Sequence, residues 1–173
     1  TKRGNAQVMA GQSMRYDLTV ANTSNVPLES FFWHDKIPYD VARPMTLTTG
    51  TYSARLNYRI LYKTNYNASY QVLASNLLTG NNYSFALNAI PMQAGEVVTD
   101  IYFDFGKVPV GFQSTVNPTL SVMVNGNAVN GYYMVNRADV GGKYQGTWQT
   151  ATASWVTIIR RLWNTPTLPK TGY

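Results

Sequence analysis

Several side chains able to do chemistry stand at positions where an alternating strand would turn them inward. In YYMVNRADV (132–140), Asn136 shares strand phase with Tyr132, Met134, Ala138 and Val140. Asp35 shares phase with Phe31, Trp33 and Ile37, and Lys2 with Ala6 and Val8. Each also has an ordinary reading. Asp35 caps a turn before Pro38, Asn136 is a satisfied core amide, or Lys2 belongs to a frayed terminus. His34 is the single histidine, which excludes a cluster of paired histidine ligands. It is formally open to a Ser-His-Asp arrangement, but no Gly-x-Ser-x-Gly elbow accompanies it, so it reads as a polar neighbour of the aromatic strand. Asp100 and Asp104 alternate on one face, either as oxygen ligands for calcium or, with so few acids nearby, as the solvated face of a half-buried strand. No metal site and no cofactor are expected. The chain has no cysteine, so disulfides, thiolate ligands and a cysteine nucleophile are excluded.

These residues depend on strands for their placement. MRYDLTV sets Met14, Tyr16, Leu18 and Val20 on one face and Arg15, Asp17 and Thr19 on the other. ESFFWHDKIP is strand-like with aromatic residues on both faces. Further strands are expected over 56–63, 69–75, 83–89 and 97–105, then in TLSVMVNG, GYYMVNRADV and GTWQTATASWVTIIRRLW. Turn signals fall between them, at 22–27, 48–50, 79–82, 106–111, Asn125-Gly126 and Gly141-Gly142. No window carries a capped helical pattern. About nine short strands with regular turns predict an all-β chain, an immunoglobulin-like antiparallel β-sandwich, with a β-barrel as the other closure.

The 173 residues are 45% hydrophobic, enough for one sizeable core, and no internal linker divides them. One domain is expected over 1–163, followed by a Pro/Thr tail over 164–173. Fourteen Lys and Arg against eight Asp and Glu give a net charge of +6. The basic residues are scattered, unlike a nucleic-acid footprint, so nucleic acid is not an expected partner; attraction to anionic wall polymers suits the charge equally well. No apolar run reaches membrane-spanning length, and no membrane is expected in the mature form. The start TKRGNAQ lacks an initiator Met and reads as a mature or excised fragment. Asn-x-Ser patterns begin at Asn22, Asn67 and Asn82 and are read as loop polar residues.

The tail ends NTPTLPKTGY. Pro169 fixes its own φ and biases Leu168 toward extended geometry, and Gly172 leaves room beside the preceding bond. Leu168, Pro169, Lys170, Thr171 and Gly172 resemble the Leu-Pro-any-Thr-Gly sorting signal of Gram-positive cell-wall-anchored proteins at every fixed position. The resemblance implies a sortase that cuts between Thr171 and Gly172 and joins Thr171 to a peptidoglycan amine or a pilin lysine. The apolar segment and basic tail that usually follow are absent from this sequence.

GQSMRYDLTVANTSNVPLESFFWHDKIP resembles the opening of the conserved-repeat immunoglobulin-like domains of bacterial surface proteins. The matching residues are Gly11, Tyr16, Leu18, Val20, Asn22, Asp35, Ile37 and Pro38, and the late Asn-x-Ala of such domains is matched at Asn136, Arg137 and Ala138. Residues 45–115 match nothing in that pattern. Related pilin and adhesin domains often form an internal Lys–Asn isopeptide bond. That bond needs a neutral buried lysine, an asparagine and a protonated acid together in a dry core. The resemblance makes Lys2 the donor, with Lys63 in reserve, Asn136 the acceptor and Asp35 the acid.

The expected function is therefore a non-enzymatic, wall-proximal stalk domain of a pilin or adhesin, extracellular and anchored to the Gram-positive cell wall. The alternative is an adhesin module that holds a host glycan or protein through aromatic loops, since the chain has thirteen tyrosines and four tryptophans.

Overall fold

In the computed structural model, residues 1–162 are described. Strands follow one another as β1 (Lys2–Arg3), β2 (Gln7–Met9), β3 (Ser13–Leu18), β4 (Leu28–Lys36), β5 (Ala42–Thr48), β6 (Thr51–Tyr52) and β7 (Asn57–Thr64). Then come β8 (Asn67–Leu78), β9 (Ser84–Ala86), a single 3-10 turn at Leu87–Ala89, β10 (Val98–Val108), β11 (Ser114–Val116), β12 (Thr119–Val124), β13 (Tyr133–Tyr144) and β14 (Thr147–Arg160). The chain is all-β, as its period-two patterning predicts, and folds as an antiparallel sandwich of the immunoglobulin-like kind. One sheet has the order β1-β3-β12-β5-β9, the other β2-β14-β13-β4-β10-β7-β8, and β11-β6 form a small ribbon. Only β2 and β14 run parallel among the described strand pairs. Among the described residues no helix is long and apolar enough to cross a membrane.

Alternation decides which face each strand buries. Met14, Tyr16 and Leu18 of β3 meet Phe31 and Trp33 of β4, Ile101 and Phe103 of β10, and Leu120 and Val122 of β12 in one continuous core. Edge-to-face packing of Trp33 on Phe103 (4.4 Å) and Phe31 on Phe112 (5.6 Å) fills its centre.

The structure has five more strand segments than the sequence predicts. β1, β2, β6 and β11 are only two or three residues long, too short for alternation to register. β5 is hidden by Pro44. Pro44 pairs with Val122 beside a register shift, and β9 covers only Thr46–Thr48, so no ladder donor is needed from the proline. A second correction concerns Gly141-Gly142, which lie inside β13 rather than in a turn. A side chain at Gly141 would collide with the Gln149 backbone oxygen of β14, so the glycines permit close strand approach. The reversal falls at Gln145-Gly146, both with positive φ.

Candidate functional site

Lys2, Asp35 and Asn136 come together between the sheets. β4 is central in the seven-stranded sheet, and Asp35 is flanked by Ile101 of β10 and Ala138 of β13. Its carboxylate is fully buried. Lys2 Nζ donates to Asp35 Oδ2 at 2.6 Å, both side chains having no solvent exposure. Asn136 Nδ2 donates to Asp35 Oδ1 at 2.9 Å. One carboxylate thus holds an amine on one oxygen and a carboxamide on the other. Asp35 is therefore a buried residue near the end of β4 whose two oxygens are taken by Lys2 and Asn136.

Lys2 reaches this point from the edge strand of the opposite sheet. β1 pairs with β3 through Lys2 and Leu18, and the Thr19 amide donates to the Thr1 carbonyl at 2.7 Å. The chain then crosses to the other sheet. There the Asn5 carbonyl accepts from Trp155 Nε1 (2.9 Å) and the Thr157 hydroxyl (2.7 Å) of β14. Lys2 and Val8 are both buried, but on different sheets, so their common phase was not that of one strand; Ala6 itself is exposed. Gly4 makes the crossing possible, because a Cβ there would stand 2.9 Å from the Tyr16 ring and 3.1 Å from Trp155.

Burial pushes the Lys2 amine below its ordinary value, and the Asp35 charge and hydrogen bond oppose that shift. The Tyr16 ring lies 4.7 Å from Lys2 Nζ. Burial, and then the charge of Asp35, raise the Tyr16 phenol well above its usual range. Asn136 Oδ1 is buried without a hydrogen-bond partner. Rotating the amide half a turn exchanges its oxygen and nitrogen, so that a protonated Asp35 would donate to that oxygen.

Lys63, the reserve donor, is not part of this group. It stands on β7 opposite Asp100, with Nζ 4.3 Å over the Tyr70 ring, on the other side of the sheet. The sorting-signal residues Leu168, Pro169, Lys170, Thr171 and Gly172 lie outside the described residues.

On the outer face of the seven-stranded sheet, His34 Nε2 bonds Asp100 Oδ2 at 2.6 Å and Nδ1 lies 3.7 Å from Asp139. Burial opposes ionisation of Asp100, but hydrogen bonds from His34 and Thr99 and the nearby charges hold it below its ordinary value. Asp104 pairs with Arg59 at 3.0 Å. Sequence reading placed Asp100 and Asp104 on one face but missed their basic partners, which only strand register reveals. Asn22 lies in the loop between β3 and β4 but is buried there, its amide donating to the Val26 and Pro109 carbonyls.

No protein-family model matches the chain, and no curated protein matches it. Among solved structures it is similar to a cohesin module from the Clostridium perfringens ATCC13124 family 33 glycoside hydrolase. That likeness has 9% identity and a TM-score of 0.47, covering 94% of this chain and 96% of that one. It is also similar to AvmM, which catalyses macrocyclization in alchivemycin A biosynthesis, with 9% identity and a TM-score of 0.37 over 91% and 87% of the two chains.

Proposed function

We propose that this domain is a non-enzymatic, load-bearing module of a sortase-anchored Gram-positive surface protein or pilin, reinforced by an amide bond between Lys2 and Asn136. The observation that carries the reading is the burial of Lys2 and Asn136 on the two oxygens of one buried carboxylate, Asp35, between two sheets. Burying an amine and a carboxylate costs several kcal/mol each by rough estimate, so a purely structural use would be expensive. The Leu168–Gly172 motif supports attachment outside the cell, with a sortase and a wall or pilin amine as partners. The outer His34 is engaged by two carboxylates rather than by a nucleophile, which supports a non-enzymatic reading.

The bond forms as follows. A proton passes from Lys2 to Asp35, leaving a neutral amine beside a carboxylic acid. With the amide turned over, Asp35 donates to Asn136 Oδ1 and polarises Cγ. Lys2 Nζ attacks Cγ, and the new C–N bond creates a tetrahedral centre. Asp35 relays a proton from Nζ to Nδ2, the Cγ–Nδ2 bond breaks, and one ammonia leaves. No oxidant or cofactor enters the balance. Lys2 has to lose its proton first, and burial favours that loss.

Intact mass of the folded protein tests both halves. The wild type should weigh one ammonia less than its sequence, and Lys2→Ala and Asn136→Ala should show the full mass. An unmodified wild type removes the cross-link. After incubation with a sortase and an amine nucleophile, the same spectrum should show loss of Gly172 and Tyr173 and gain of the amine. Absence of that product removes the anchoring half.

A further inference from the structure

The outer face of the seven-stranded sheet carries two rows that run across the strands. The first is aromatic. Trp148 of β14 meets Phe32 of β4 edge-on at 5.7 Å. Phe32 stacks on Tyr102 of β10 at 5.3 Å and 7°, and Tyr102 meets Tyr70 of β8 at 5.2 Å. Lysines close both ends, Lys143 Nζ lying 4.8 Å over Trp148 and Lys63 Nζ 4.3 Å over Tyr70. From β14 to β8 the row crosses five inter-strand steps, roughly 24 Å at the usual strand spacing. The second row is polar: Asp139, His34, Asp100 and Lys63, from neighbouring strands. A shallow groove of about 420 Å³ opens where the rows adjoin, lined by Phe32, Tyr102 and Trp148 together with His34, Arg137 and Asp139.

We propose that this groove binds a linear, uncharged oligosaccharide, laid across the strands along the aromatic row. A pyranose ring has an apolar C–H face and a rim of hydroxyls. The first matches half-buried aromatic faces, and the second matches acceptors and donors at fixed positions beside them. The charge balance selects a neutral ligand. Asp100 is met by His34, Asp104 by Arg59, and Asp139 by Arg137 at 3.5 Å, and the two lysines stand over rings at the ends of the row, so the groove itself offers hydrogen-bonding partners rather than an ionic site. The row is long enough for several sugar rings end to end. A folded protein partner would want a broad apolar patch, whereas here there is a single row of rings with a lysine over the ring at each end. The groove faces away from Lys2, Asp35 and Asn136, so the inference stands apart from the cross-link.

Titration calorimetry with cello-, xylo-, manno- and chito-oligosaccharides tests it. At least one should bind with a millimolar or tighter dissociation constant. Trp148→Ala, at a position 49% exposed where the fold tolerates truncation, should weaken that binding about tenfold or more, as loss of a stacked ring does. Trp148→Phe should restore part of it. Tyr39→Ala, at an exposed tyrosine elsewhere, should leave affinity unchanged. Binding of none of the panel overturns the proposal, as does binding indifferent to Trp148→Ala. So does a protein ligand lost with Trp148→Ala while no sugar binds, since the face would then be a protein-docking surface.

Discussion

His34 and Asp35 are neighbours in the chain and point to opposite faces of the same strand, each into an ionic cluster. Asp35 has no solvent exposure and shares its two oxygens between Lys2 and Asn136. His34 keeps 17% of its side chain exposed, Asp100 13% and Asp139 24%. Outside, water finishes the solvation of each charge, so every pair is worth little and any one can be lost. Inside, nothing replaces a missing partner. The same residue types therefore do different work according to the face. The outer cluster is a surface that a ligand can address. The inner one is a closed arrangement in which an amine and an amide share one carboxylate without solvent exposure.

The contrast is broken most forcefully at Asp35. On the proposed cross-link, Asp35→Ala removes the bond and also leaves the Lys2 amine buried without its carboxylate partner. Constraining the loop from residue 2 to residue 136 is worth about 5 kcal/mol in the chain-entropy account of a covalent staple. Breaking a buried pair by removing one partner costs roughly 3–5 kcal/mol more. Asn136→Ala loses the staple but keeps the ion pair. In urea, Asp35→Ala should therefore unfold well before Asn136→Ala, and both before the wild type. Equal midpoints for the two variants would mean that the pair contributes nothing beyond the bond.

A smaller effect is expected at Gly4, which touches neither carboxylate nor amide. A methyl group there would press on Tyr16, on Met14 at 3.0 Å and on Trp155, where the chain passes from one sheet to the other. Overpacking of this kind costs about 1–3 kcal/mol. Gly4→Ala should also slow ammonia loss, followed by mass against time after refolding, because Lys2 is seated by this crossing. Normal cross-linking in a destabilised Gly4→Ala would separate packing from alignment.

Much of this arrangement is legible in the sequence, and the parts that are not share a cause. Asp35 and Asn136 are visible because each sits in a strand long enough for alternation to name its face. Lys2 is visible through family order and a phase with Val8 that spans two sheets, since β1 is two residues long and its real neighbours, Leu18 and Tyr16, come from another strand. Strands β5, β6 and β11 escape for similar reasons: a proline interrupts the first, and the others exist only as partners. The outer rows are the least legible. Trp148, Phe32, Tyr102 and Tyr70 lie far apart in the chain, and only the order β14-β13-β4-β10-β7-β8 brings them into line. Alternation tells which face a residue takes, but pairing tells whom it meets.

The mildest perturbation sharpens the comparison from the outer side. His34→Gln keeps a hydrogen-bonding group near Asp100 but removes the ring shared with Asp139, at a site that water reaches. At neutral pH the loss should stay below about 1 kcal/mol, a small fraction of that at Asp35. The acid limb gives a second reading. Asp100 titrates below its ordinary 3.8 in the folded state. Near that pH the unfolded chain binds more protons than the folded one, so stability rises with pH. The stabilisation is present above 3.8 and is lost as pH falls through the lower folded value. Losing the His34 contribution, only part of which a Gln amide replaces, brings the folded value back toward 3.8, so wild type and His34→Gln should differ above that window and converge below it. Urea midpoints measured across the acid range check this. A gap that persists at the lowest pH would mean that His34 acts by packing against Tyr102, 6.1 Å away, rather than through Asp100.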